Sequence, residues 1–502
     1  MQLLTGACSR KADNSCKKIK RKGRKIVRKN TSNSNKTNTT VKTEILAGLT
    51  TFMTMAYIIA LNPNLLTGFG AEGTKALWNG VFLATCIASA VGMFVMAFLA
   101  NKPFALAPGM GLNSFFAVVV ANIVSITGLS YVDSFQAALC IILIEGILFF
   151  ILSIFNIRDK IVDAIPYGVR MGISPAIGLM LLNIGFGSNA GVYSKDGGPF
   201  YVMKDFFGAL TPGLAKTNMT DGYSSMVLTV VTMFIGLFVI IILAHKGVNG
   251  AVLFGMLAAC VVYWAGEAIF FGTNPFASLA TASFVPQFKD MADTTLFKFD
   301  FKDFISIGWF TAISLIITFC IIDMFDTIGT LVGTASRAGM VDKEGNMPNM
   351  KEALVSDSVA TVVGAVTGTS TVTTFVESAS GVEAGGRTGL TAFTTGILFL
   401  ACIFIAPLAA IIPAAATSSA LIYVGILMLG GLKKVDFEDL SQVAPVALML
   451  IAMPISGSIG HGIGLGLITY TVLKVFTGKA KEVSILTYAI SLLFLVKFFL
   501  VV

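Results

Sequence analysis

The sequence predicts an all-α polytopic membrane protein of about fourteen spans, built as two inverted seven-span repeats. Three observations lead there. Of the 502 residues, 55% are hydrophobic and only 12% charged, against roughly 25% charged in soluble domains. The mean hydropathy is +0.83, and apolar runs of spanning length, about 17–25 residues, recur along nearly the whole chain. Lys and Arg gather in alternate short loops, the mark of a cytoplasmic side.

Residues 1–43 are a basic tail. The run KKIKRKGRKIVRK supplies much of the net charge of +8, and Ser, Asn, Thr and Lys fill Asn30–Thr43. Such composition predicts a disordered segment on the cytoplasmic side, near anionic lipid headgroups rather than nucleic acid. No apolar stretch of signal-peptide type follows the basic run. The first repeat, 44–271, carries apolar runs at 45–61, 78–100, 104–121, 135–155, 170–186, 226–244 and 250–271. A polar extracellular connection covers 272–306. The second repeat, 307–502, carries runs at 308–334, 354–369, 371–385, 388–412, 418–431, 442–456 and 459–476. A further apolar segment, 485–502, has three readings: interfacial, completing the last span, or an extra helix.

With the tail in the cytoplasm and alternate crossings, the inner loops hold Lys102, Arg158, Lys160, Lys246, Arg337, Lys343, Lys351, Arg387, Lys433, Lys434, Lys479 and Lys481. Short outer loops at 123–134, 412–417 and 457–460 hold no Lys or Arg. The second repeat therefore starts on the opposite side from the first. Gly-rich turns at Lys246–Gly250 and Ser458–Gly462 lead into the last span of each half. Inverted repeats of this kind are typical of secondary transporters.

Seven scattered Cys suggest neither a disulfide framework nor a metal site. The two His, His245 and His461, lie far apart, which argues against a His-based metalloenzyme. No cofactor is expected.

The chemistry concentrates between Ile321 and Thr391. Asp323, Asp326, Asp357 and Glu377 sit inside or beside apolar runs there, although a carboxylate at the bilayer centre costs about 2.5–3.5 kcal/mol on insertion scales. Spans 3 and 10 read as discontinuous. The third contains Pro108, Gly109 and Gly111; the tenth has β-branched residues before Glu377 and small residues after it. Short extended segments, each followed by a helix, suit both, and two half-helices facing each other would offer free N–H groups to a ligand.

Four pieces in order, TFMTMAYIIALNPNLL, FALAPGMGLNSFF, DMFDTIGTLVGTASRAGM and GTSTVTTFVESASGVEAGGRTGLTA, resemble the nucleobase–cation symporter 2 family (the xanthine/uracil permease superfamily). More narrowly they look like its AzgA-like branch of adenine, guanine and hypoxanthine permeases. The resemblance runs from about Val41 to the C-terminus. It implies a core domain of spans one to four and eight to eleven, about 44–155 plus 307–412. A gate domain of the remaining spans follows, about 166–271 plus 417–502. It places the two substrate carboxylates of the family on Asp326 and Glu377. Uracil and xanthine branches typically carry Glu at the eighth-span position and, in some members, His one turn on; here Asp326 and Thr330 stand there, as in the AzgA-like branch.

On this reading Glu377 accepts hydrogen bonds from adjacent N–H groups of a purine edge. Asp326, with Asp323 one turn before it, serves proton coupling; the alternative for Asp323 is a bond tying the eighth span to the first or third. Asn113, with the backbone of Gly109 and Gly111, forms a third wall or else caps its broken helix. Thr330 and Thr374 offer hydroxyls to the ligand or to their own backbone. Phe52, Tyr57, Phe325 and Phe375 are candidates to stack on the base, and Asp357 and Arg387 to hold the core together. The expected activity is proton-coupled import of purine nucleobases across a cell membrane, with the bilayer and a homodimer through the gate as partners and no enzymatic reaction. The alternatives are an anion transporter of sulfate-permease type on a similar fold, a membrane-embedded hydrolase, and a channel.

Overall fold

The computed structural model describes residues 39–68, 71, 73–155, 166–189, 223–337, 340, 347–456 and 459–500. The basic tail as far as Asn38, the loop holding Arg158 and Lys160, nearly all of 187–225, and Lys343 lie outside that set, as does the side chain of Phe325.

The predicted apolar runs fall on successive helices, several of them broken into two elements. The first span is two helices, α1 (Val41–Met55) and α2 (Ile58–Leu66). Thr40 caps α1 by accepting from the Thr43 N–H at 3.2 Å. The helical ladder breaks at Ala56 and Tyr57, where the Ile59 N–H reaches back only three residues, to Ala56 O. Helix α3 (Lys75–Val95) follows, ending in a π turn, Met96–Ala100. The third span is strand β1 (Leu106–Pro108) and helix α4 (Met110–Thr127), and the fourth is α5 (Tyr131–Ile154), opened by a Ser130 cap. Then come α6 (Tyr167–Ile184), α7 (Tyr223–His245) and α8 (Ala251–Gly266).

The polar connection is more ordered than its composition suggests. It forms two short helices, α9 (Phe288–Thr294) and α10 (Phe301–Ser306). Helix α9 docks on α3, where Asn79 Nδ2 donates to Asp290 Oδ2 at 2.6 Å, and the Phe297 N–H donates to Val366 O at 2.9 Å.

The second repeat runs α11 (Trp309–Arg337), α12 (Met350–Thr367), strand β2 (Val372–Thr374), α13 (Ser378–Glu383), α14 (Gly389–Ala401), a short α15 (Ala406–Ala410), α16 (Ala414–Met428), α17 (Leu440–Ser456) and α18 (Ile459–Phe476). Among the described residues, eleven helices are long and apolar enough to cross a membrane. Three of the predicted spans fall short of that measure: the thirteenth, α17, has only 17 residues, and the ninth and tenth fall short for a physical reason. Helix α12 carries Ser356, Asp357, Ser358 and Thr361, all buried against protein, and the tenth span is a strand followed by a six-residue helix.

The C-terminal segment is a helix of its own, α19 (Ile485–Leu500). It runs back antiparallel along α18: the Thr471 and Ser491 hydroxyls are 2.9 Å apart, and the His461 and Phe498 rings 5.6 Å apart. It does not extend the last span, which ends at Phe476.

The helices pack in two groups. In one, α3, α11 and α12 contact the strands, α5 packs on α12, and α14 packs on α1 and α3; in the other, α6 packs on α16 and α17, and α7 on α8 and α16. Strands β1 and β2, one from each repeat, pair antiparallel, Ala107 opposite Thr373, at the centre of the first group, and all six residues are buried. The ladder is extended by Phe375 N–H to Ala105 O at 2.9 Å and by Gly109 N–H to Thr371 O at 3.1 Å. Pro108, which has no N–H to give, sits at the strand end.

Candidate functional site

The paired strands bring together what the sequence holds far apart. Helix α4 starts directly after β1, and α13 shortly after β2, with Glu377 as the residue before its first turn. Asp326, near the middle of α11, lies against the start of α4: a Cβ at Gly109 would be 3.5 Å from Asp326 Oδ2 and 2.6 Å from Thr373 Cγ2. Only glycine leaves room there. Asp326 and Glu377 are both half-buried and lie within electrostatic reach of one another. Between buried Phe375 and Glu377, Val376 is 59% exposed. The surface beside Glu377 is therefore open.

Beside the two acids is a dense polar cluster. The Thr327 hydroxyl is 3.1 Å from Asp323 Oδ1, 2.8 Å from Asp357 Oδ2 and 2.7 Å from the Thr373 hydroxyl. With one proton to give, it serves one carboxylate at a time. Asp357 Oδ1 accepts from the Thr374 N–H at 2.9 Å and from its hydroxyl at 3.1 Å. The Thr371 hydroxyl donates to Glu145 Oε2 at 3.2 Å. Asp323, Asp357 and Glu145 are fully buried. These groups tie α5, α11 and α12 to β2 and supply partners that hydrocarbon cannot.

The other predicted residues divide accordingly. Thr374 is turned to Asp357. Asn113 is fully buried, accepts from the Ser370 hydroxyl and donates Nδ2 to Pro108 O at 3.1 Å. Thr330, one turn beyond Asp326, is 7% exposed. Gly111 faces the second group of helices, where a Cβ would meet Ile177 of α6 at 2.9 Å. Phe52 packs edge-on against Phe399, and Phe375 is buried. Tyr57 is a hydrogen-bond partner: its hydroxyl donates to Glu377 Oε1 at 2.8 Å. Tyr423 of α16, from the second group, is half-buried within electrostatic reach of Glu377. Arg387 bonds backbone, at Val382 O and at Gly386 O (2.7 Å).

A further buried acid closes one end of the core. Glu44 Oε1 accepts from the Arg387 N–H at 3.0 Å, and Oε2 from the Thr391 hydroxyl at 2.6 Å, so the first turn of α1 fastens the start of α14. Sequence reasoning passed over Glu44 and Glu145. The signal was present for Glu145, an acid inside the run CIILIEGILFF, by the same cost argument that drew attention to the acids of α11.

The Permease family model matches residues 42–456. The chain belongs to the nucleobase–cation symporter 2 family. Relatives in that permease family include the guanine/hypoxanthine permease PbuO of Bacillus subtilis, 37% identical over 465 residues, covering 92% of this chain and 98% of that one. The adenine permease AdeP of Escherichia coli is 36% identical over 459 residues, covering 91% and 93%. Among solved structures, the transmembrane domain of a cyanobacterium bicarbonate transporter, BicA, superposes with a TM-score of 0.58 at 17% identity, covering 86% of this chain and 97% of that one. Murine Slc26a9 gives 0.57 at 11% identity, covering 88% and 69%. The symporter 2 permease thus shares the core-and-gate fold of those transporters, and it is a transporter rather than an enzyme.

Proposed function

We propose that this permease imports purine nucleobases (adenine, guanine or hypoxanthine) by proton symport across the cell membrane, with its N-terminus in the cytoplasm. The observation that carries the reading is the pair of half-buried acids, Asp326 and Glu377, beside the paired strands; the substrate cleft of this proposal lies in front of them. Glu377 receives the N–H edge of the base, and a charge-assisted contact of that kind is both strong and directional. Asp326 takes up the proton. The names of the relatives PbuO and AdeP support the substrate class. An acidic cleft has the wrong sign for an anion, which sets aside the sulfate-permease alternative.

The core (about 44–155 plus 307–412) moves against the gate (about 166–271 plus 417–502) to expose the cleft to either side. Coupling requires that base and proton together bind the two facing states differently from either alone. Gate helices supply the homodimer contact. The test is uptake of labelled adenine, guanine, hypoxanthine, xanthine and uracil in cells lacking their own base transporters, with and without a protonophore. Purine accumulation abolished by the protonophore is expected. Absence of uptake from protein present in the membrane would sink the substrate assignment, and uptake that ignores the protonophore would sink the proton.

A further inference from the structure

Tyr57 is 1% exposed and stands at the break between α1 and α2. A phenol hydroxyl that is buried needs a partner, and Tyr57 spends its single proton on Glu377 Oε1, at 2.8 Å. The two residues come from different repeats, and the bond joins the interrupted first span to the interrupted tenth. Glu377 precedes a helix of only six residues, and its side chain has three rotatable bonds. Left to itself, its carboxylate would sweep the cleft. The bond to Tyr57 fixes the carboxylate plane and leaves Oε2, with one lone pair of Oε1, available to a ligand.

We infer that Tyr57 is the positioning residue of the ligand carboxylate: it holds Glu377 in the one orientation that meets a planar heterocycle edge-on. This rests on the assignment of Glu377 to the base. The break at Ala56–Tyr57 then has a purpose. A continuous helix would carry its side chains at fixed angular steps, whereas the turn sets the phenol toward β2 independently of the residues before it. Tyr57 also acts on selectivity. A fixed carboxylate favours ligands with an N–H in its plane over those in which that N–H is methylated; a swinging one discriminates less.

The test uses the full chain in cells lacking other base transporters, with membrane content matched by immunoblot. Tyr57→Phe removes one oxygen and keeps the ring. The expected result is a rise of about 10–100-fold in the half-saturating hypoxanthine concentration, the size of a charge-assisted hydrogen bond. The rise should be out of proportion to any fall in maximal rate, with weaker discrimination against N-methylated purines in competition. A lower unfolding temperature and maximal rate with an unchanged half-saturating concentration would mark a merely structural residue and overturn the inference. Glu377→Asp draws the carboxylate one methylene away from the phenol. In that background Tyr57→Phe should cost little more, because partners in one interaction are non-additive. Full additivity overturns the inference as well. Wild-type protein that takes up no base would overturn the substrate assignment along with it, an outcome distinct from wild-type uptake with an unaffected variant.

Discussion

Asp326 and Glu377 are half-buried, while Asp323, Asp357 and Glu145 are wholly enclosed. The difference assigns different consequences to superficially similar substitutions. Glu377→Gln keeps the shape and replaces one acceptor by a donor. Purine uptake should fall about 100-fold or more, since a repelled N–H adds to the lost charged bond, while the amount of folded protein in the membrane stays near wild type. Asp326→Asn should lose accumulation and its dependence on external pH, yet still exchange labelled for unlabelled base in proteoliposomes. If counterflow and accumulation vanish together, Asp326 is a binding residue and not the coupling one. Asp357→Ala strips partners from Thr327 and from both the N–H and the hydroxyl of Thr374. Thr327 keeps Asp323 Oδ1 as an acceptor, but leaving both Thr374 donors buried without theirs costs about 2 kcal/mol or more. A lower unfolding temperature in detergent, with and without ligand, is the expected sign.

At the level of elements, hydropathy located the eleven helices long and apolar enough to cross a membrane, because a bilayer demands long apolar runs wherever a helix meets lipid. The two extended segments were also legible, from Pro108 and Gly109 on one side and the β-branched run Thr371–Thr374 on the other. What escaped was the break at Ala56–Tyr57. No Gly or Pro stands in TMAYIIA, and the partner that Tyr57 bonds at the break, Glu377, is remote in sequence. The cluster around Thr327 escaped for a similar reason: threonine in a membrane helix commonly bonds its own backbone, and only the fold reveals the three side chains it faces. The course of α19 was undecided because its composition suits lipid and protein equally. Gly109, by contrast, was read as a loosener of the helix and turns out to be a close-approach point between β1, Thr373 and Asp326. Gly109→Ala should therefore abolish uptake and lower the unfolding temperature, whereas Ala at the open position Gly430, where a Cβ meets nothing within 4 Å, should do neither.

Across the whole molecule, the connection between repeats belongs mechanically to the core. Helix α9 is fixed on α3, and Gln136 Nε2 of α5 donates to Thr294 O at 2.9 Å, while Phe276, at the other end, packs on Trp264 of α8 at 4.9 Å. The stretch between, 277–287, joins the two groups of helices, which on the proposed mechanism move relative to each other. Shortening it by three residues should lower the maximal uptake rate and leave the half-saturating concentration nearly unchanged; the reverse pattern would show that the stretch shapes the cleft instead. At the far end, α19 touches both α18 and α11, so the last helix lies against the helix that carries Asp326.

The pairing of β1 with β2 also sets an order in time. When the ribosome has delivered the first repeat, the Ala105 N–H has no partner; the Ser378 hydroxyl that will accept from it is 273 residues away. Until then the nascent half-protein holds a stretch of extended backbone at a depth where neither water nor lipid can satisfy it. It is a client for whatever in the membrane shelters unfinished polar chains, and it stays one until the second repeat arrives to complete the ladder. The first repeat expressed alone should be degraded, and separate expression of both halves in one cell should rescue it: each repeat is the other's folding template.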